Sequence, residues 1–124
     1  MESLHIPGDG EIPMVNFDAA SGRLKLSGES NMSDSSEFYR PLLYWIEEYR
    51  YDGPGPVEMT FSFSYLNDGS QRQIHEILNE LTLVQDSGKG VQVYWYYHED
   101  DTDMEELGHN FANEYELPFS IWAH

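Results

Sequence analysis

From Val57 to Leu66 apolar and polar residues alternate almost without a break. Val57, Met59, Phe61, Phe63 and Tyr65 fall on one side, and Glu58, Thr60, Ser62 and Ser64 on the other. A period of two predicts a half-buried strand. Ile74, Ile77, Leu78, Leu81 and Val84 then recur at helical spacing as far as Ser87-Gly88-Lys89-Gly90, after which Val91, Val93, Trp95 and Tyr97 alternate again. Strand, helix and strand in that order predict a parallel crossover, which commits the chain to an α/β fold. A parallel strand covered on both faces reads as continuously apolar, so the alternation places all helices on one side of the sheet. The uncovered face then carries Thr60, Ser62, Ser64, Gln92, Tyr94 and Tyr96, which are either solvated or meet another protein.

The flanking segments extend this mixed sheet. Met14 to Asp18 and Arg23 to Gly28 bracket Ala19-Ala20-Ser21-Gly22, the pattern of an N-terminal hairpin. Ser33, Asp34 or Ser35 is placed to cap a helix bearing Phe38, Leu42, Trp45, Ile46 and Tyr49, which Asp52-Gly53-Pro54-Gly55-Pro56 terminates. A third helix is predicted from Thr102 to Glu116, and a last strand from Phe119 to Trp122. No linker or repeat divides the 124 residues, so a single domain is expected.

Charge and composition narrow the function classes. Twenty-three Asp and Glu against six Lys and Arg give a formal charge of −17, which repels nucleic acid and anionic lipid. Cysteine is absent, removing thiolate catalysis and zinc–sulfur sites. No basic segment followed by an apolar one marks a signal peptide, and no apolar run approaches the roughly 20 residues that span a bilayer. A cytoplasmic protein without membrane insertion is expected.

Chemistry in such folds concentrates where a strand gives way to a helix, here at Tyr65-Leu66-Asn67-Asp68-Gly69-Ser70-Gln71-Arg72. The turn offers the Asp68 carboxylate and the Ser70 hydroxyl beside the free N–H groups of a helix start, a setting suited to negative charge. Asp68 or Ser70 is expected to cap that helix, Gly69 to loosen the turn, and Arg72 to pair with Asp68 across its first turn. A second cluster, His98-Glu99-Asp100-Asp101-Thr102-Asp103, is dense in oxygen ligands. It lacks the spaced ligands and central glycine of an EF-hand loop, and capping of the following helix by Asp101, Thr102 or Asp103 accounts for it, so no metal is expected. His75, one turn beyond Asp68, raises acid–base chemistry as a weaker reading. No nucleophile elbow, phosphate-binding glycine loop, zinc helix motif or dinucleotide fingerprint accompanies it, and no cofactor is expected.

The hairpin, central crossover and one-sided helices look like a STAS-type domain, the fold of anti-sigma-factor antagonists. Within that layout the chain resembles the SiaC-type regulatory phosphoproteins over nearly its whole length. The resemblance is carried by Leu4-His5-Ile6-Pro7-Gly8, Asn16-Phe17-Asp18, the Gly22 to Gly28 strand, and Glu37-Phe38-Tyr39-Arg40-Pro41-Leu42 with Trp45. It continues in Tyr65-Leu66-Asn67, Trp95-Tyr96-Tyr97 and Leu117-Pro118-Phe119. It implies a non-catalytic bacterial switch, phosphorylated on a threonine of the turn by a dedicated kinase and restored by a PP2C-type phosphatase. In the family's best-known branch the unphosphorylated form binds and activates a diguanylate cyclase, controlling cyclic-di-GMP and biofilm formation.

At the turn the chain departs from the family's pattern of Tyr, any residue, Asn, Thr, Ser, Ser: Asp68 stands where the acceptor threonine belongs, followed by Gly69. Aspartate forms no stable phosphoester and carries about −1, against roughly −1.5 to −2 for phosphothreonine. Three readings stay open. Asp68 holds the protein in a phosphorylated-like form, Ser70 has taken over as acceptor, or phosphoregulation is lost and binding kept. The partner surface is expected around Asn67, Asp68, Gly69 and Ser70, with Tyr65, Arg72, Tyr94, Tyr96, Glu99, Asp100 and Asp101 as further candidates.

Overall fold

The computed structural model describes all residues from Met1 to His124. Six strands form one sheet in sequential order: β1 (Leu4–Ile6), β2 (Met14–Phe17), β3 (Arg23–Ser30), β4 (Val57–Leu66), β5 (Val91–Tyr97) and β6 (Phe119–Ala123). β1, β2 and β3 pair antiparallel, and β3 to β6 run parallel. Helices α1 (Ser35–Asp52), α2 (Asp68–Asp86) and α3 (Thr102–Glu114) make the three parallel connections. β1 is an addition to the strands expected from sequence.

The alternation in β4 and β5 sends Met59, Phe61, Phe63, Val93 and Trp95 into one cluster of 25 buried residues. That cluster also takes Tyr39, Leu42 and Ile46 from α1, Ile74, Ile77 and Leu81 from α2, and Met104 and Phe111 from α3. All three helices therefore cover the same sheet face, as the alternation requires. At about 25 cal/mol per Å² of apolar surface, these large side chains supply the main force holding helices to sheet.

The two ends of β3 are fixed in different ways. The hairpin between β2 and β3 is fastened by Asp18, whose carboxylate accepts from the Ser21 backbone N–H at 2.9 Å. Gly22 closes it with φ +72°, and a Cβ there would lie 2.2 Å from the Pro56 carbonyl oxygen. Near the other end of β3 the register slips: Gly28 pairs with Phe63, but Glu29 pairs with Tyr65. Ser64 is thus an extra residue in β4, a bulge that reverses the alternation. Tyr65, expected on the buried face, is instead 48% exposed, and Leu66 is buried in its place.

Because β3 to β6 are parallel, their C-terminal ends and the N-termini of all three helices share one end of the molecule. Strand order never reverses, so the crevice at which doubly wound sheets bind ligands is absent. That end is a surface built from loops and helix starts.

Candidate functional site

Asn67 organises the turn. Its side-chain oxygen accepts from the Ser70 N–H at 2.9 Å, capping α2. Its amide nitrogen donates to the Met32 carbonyl at 2.9 Å, and its backbone N–H to the Ser30 carbonyl at 3.0 Å. One residue thus ties the start of α2 to the loop between β3 and α1. The cap is therefore neither Asp68 nor Ser70, because only Asn67 combines an acceptor for α2 with a donor for the neighbouring loop.

Ser70 is wholly buried. Its hydroxyl donates to the Ser30 carbonyl at 3.0 Å and lies 2.7 Å from the Ser30 hydroxyl, which lies 2.7 Å from that of Tyr39. One arrangement of protons satisfies the chain: Tyr39 donates to Ser30, Ser30 to Ser70, and Ser70 to the carbonyl. Burial pushes the Tyr39 hydroxyl up to about 12, with the Ser30 contact opposing it, so Tyr39 remains a neutral donor. A kinase has no access to Ser70 without opening the first turn of α2.

Asp68 is the first residue of α2 and is exposed. Its carboxylate forms no ion pair. The pairs in the chain are Arg23 with Glu58 and three histidine–carboxylate contacts, so the expected pairing with Arg72 is not made. The free N–H groups and positive dipole end of α2 favour the charge at this position. Gly69 does not loosen the turn, since its φ is not positive. A Cβ at Gly69 would lie 2.8 Å from the Ser35 hydroxyl, so glycine lets the starts of α1 and α2 approach closely.

In the second cluster Asp101 caps α3, accepting from the Met104 N–H at 3.0 Å. Glu99 and Asp100 are exposed, and no three His, Asp or Glu side chains are gathered to hold a metal ion. A groove of about 340 Å³ separates the start of α2 from α3. Tyr65, Leu66 and Gln71 line it from one side, and Asp101, Met104 and Leu107 from the other. His75 does not serve Asp68. Its Nδ1 lies 2.9 Å from the Tyr115 hydroxyl and 3.4 Å from a Glu114 oxygen, and its ring meets Phe111 edge-on. Partial burial, and then Glu114, push the Tyr115 hydroxyl upward, keeping it protonated as the partner of His75.

The structure thus brings Tyr65, Asn67, Asp68, Ser70 and Asp101 to one end, while Tyr94 and Tyr96 lie on the uncovered sheet face and line no part of the groove. Leu107 was legible in the sequence only as a member of α3's apolar stripe. Its partial exposure at the groove follows from the gap between α2 and α3.

A family model described as SiaC family regulatory phosphoprotein matches residues 6–124. The chain belongs to the SiaC family. An uncharacterised protein of Pseudomonas aeruginosa strain UCBPP-PA14 is 32% identical over 124 residues, covering all of this chain and 98% of that one. SiaC of Pseudomonas aeruginosa superposes with a TM-score of 0.92 at 32% identity, covering 100% of each chain. SiaC solved in complex with the diguanylate cyclase SiaD, which it activates, superposes with a TM-score of 0.91, covering 98% of this chain and 99% of that one. The family resemblance carried by the turn, the hairpin and the Trp95-Tyr96-Tyr97 strand is therefore one of membership. No helix of this family member is long and apolar enough to cross a membrane.

Proposed function

We propose that this SiaC-family protein is a non-catalytic cytoplasmic regulator that binds a diguanylate cyclase through the Asp68 end of its sheet. Asp68 gives that end a fixed negative charge in place of the reversible charge of a phosphothreonine. The cyclase is suggested by SiaC of Pseudomonas aeruginosa, whose complex with SiaD has the same fold at a TM-score of 0.91. The fixed charge rests on one observation: Asp68 is exposed and unpaired, whereas Ser70, the hydroxyl beside it, is buried and engaged by Ser30. A cognate kinase and PP2C-type phosphatase then have no substrate at this turn, which argues against Ser70 as the acceptor.

Titration calorimetry of the purified chain with a diguanylate cyclase from the same genome tests the partner. Wild type is expected to bind, and Asp68→Arg to bind at least ~10-fold more weakly, about 1.4 kcal/mol. Absence of binding by wild type, or equal affinity of the two proteins, would refute the reading.

A further inference from the structure

We propose that Met32 is a site of reversible oxidation by peroxides, and that its sulfoxide opens the first turn of α2 beside Asp68. Regulation of the Asp68 end by this route rests on the cyclase-binding reading, whereas the chemistry of the thioether does not. The chain holds no cysteine, so its five methionines are its redox-active sulfurs. Met59 and Met104 are buried in the core, at 0% and 6% exposure. Met32 is partly buried, in the loop between β3 and α1, where it packs against the edge of the core. Its sulfur lies 3.7 Å from the Ser30 hydroxyl and 3.7 Å from that of Ser70. Its carbonyl accepts from the Asn67 side chain, whose oxygen caps α2. One residue therefore meets the turn through both its backbone and its sulfur.

Oxidation changes what that sulfur asks of its neighbours. A sulfur lone pair attacks one oxygen of hydrogen peroxide; the S–O bond forms as the O–O bond breaks, and the displaced hydroxide takes the proton of the transferred oxygen and leaves as water. Sulfur gives up two electrons, and the thioether, a weak acceptor, becomes a polar sulfoxide. The three buried hydroxyl protons are already committed, from Tyr39 to Ser30, from Ser30 to Ser70, and from Ser70 to the Ser30 carbonyl. A sulfoxide oxygen that stays in place takes one of them and breaks the relay, leaving a buried group unsatisfied. One that turns to water withdraws Met32 from its packing and pulls on the carbonyl that holds Asn67. Both loosen the cap of α2. A dithiol-dependent methionine sulfoxide reductase reverses the step, releasing the oxygen as water while the dithiol becomes a disulfide.

The test treats the full ¹⁵N-labelled chain with hydrogen peroxide, locates each oxidised methionine by peptide mass spectrometry, and follows backbone amide exchange by NMR. Met32 is expected to oxidise at least ~10-fold faster than Met59 and Met104. The Ser70 and Gln71 amides, both bonded to Asn67, are then expected to exchange at least ~10-fold faster, with those of Ile77 and Phe111 changed by no more than about twofold. Reductase with a dithiol is expected to restore the original rates. Met32→Leu keeps the apolar contact and removes the oxidisable sulfur, so peroxide is expected to leave its Ser70 exchange unchanged, which separates Met32 from exposed Met1 and partly buried Met14. Met32→Gln, polar without any oxidant, is expected to reproduce the fast exchange. Oxidation of Met59 or Met104 as fast as Met32, unchanged Ser70 exchange in the Met32 sulfoxide, or equal acceleration in Met32→Leu would overturn the proposal. Cyclase binding enters none of these measurements, so a failure of the cyclase reading and a failure of the Met32 site are told apart.

Discussion

Replacing Ser70 with aspartate is expected to lower stability by about 3–5 kcal/mol, the usual cost of a buried charge without a counter-charge. The hydroxyl is wholly buried and packed against Ser30 and the Met32 sulfur, with no cation among its hydrogen-bond partners. Ser70→Ala is expected to cost about 1 kcal/mol, because the Ser30 hydroxyl loses its acceptor while the Ser30 carbonyl keeps the Asn67 N–H. Asp68→Asn changes an exposed group and is expected to stay within about 0.5 kcal/mol. Urea denaturation of the three variants measures the ordering. A phosphate at Ser70 would bring more charge and more volume than aspartate, so the same fold cannot hold it. A Ser70→Asp protein as stable as wild type would mean that the turn tolerates modification there.

Trp95→Ala is expected to cost about 3–5 kcal/mol, by cavity formation beneath the third helix. Trp95 is fully buried on β5 and packs its ring 5.5 Å from Phe61 and 5.5 Å from Phe111, centroid to centroid. Its indole N–H donates to the Met104 carbonyl at 3.0 Å, so one side chain fastens the first turn of α3 to the sheet. Gly108 makes this approach possible, since a Cβ there would lie 2.4 Å from the indole ring. Removing the indole takes away the hydrogen bond that ties the Met104 carbonyl to β5 and loosens one wall of the groove. A lowered urea midpoint with a parallel loss of cyclase binding is the expected result. Loss of stability with binding intact would show that α3 takes no part in recognition.

Much of this was legible in the sequence. Period-two alternation gave β4 and β5, helical spacing gave α1, α2 and α3, and the mixture of polar and apolar positions in the strands placed the helices on one face. The misreadings come from tertiary geometry at single residues. Tyr65 continues the alternation on paper, yet the bulge at Ser64, opposite the Gly28–Glu29 step, turns it outward. Asn67, Asp68 and Ser70 are all competent caps, and what selects Asn67 is its reach to the Met32 carbonyl, a contact 35 residues away. Ser70 reads as an accessible hydroxyl of a turn until Ser30 and Tyr39 are seen to enclose it. β1 is only three residues long, too short for a periodic signal, and exists because Leu4 and Ile6 pair with Phe17 and Val15.

The most direct measurement is made on the turn itself. Wild type and Asp68→Thr are incubated with the cognate kinase and Mg-ATP, intact masses are recorded, and any modified residue is located by tandem mass spectrometry. A fixed charge at Asp68 predicts that only Asp68→Thr gains a phosphate, on the introduced threonine. Phosphate on Ser70 of the wild-type protein would contradict it, and would mean that the first turn of α2 opens to a kinase despite the bonds that close it.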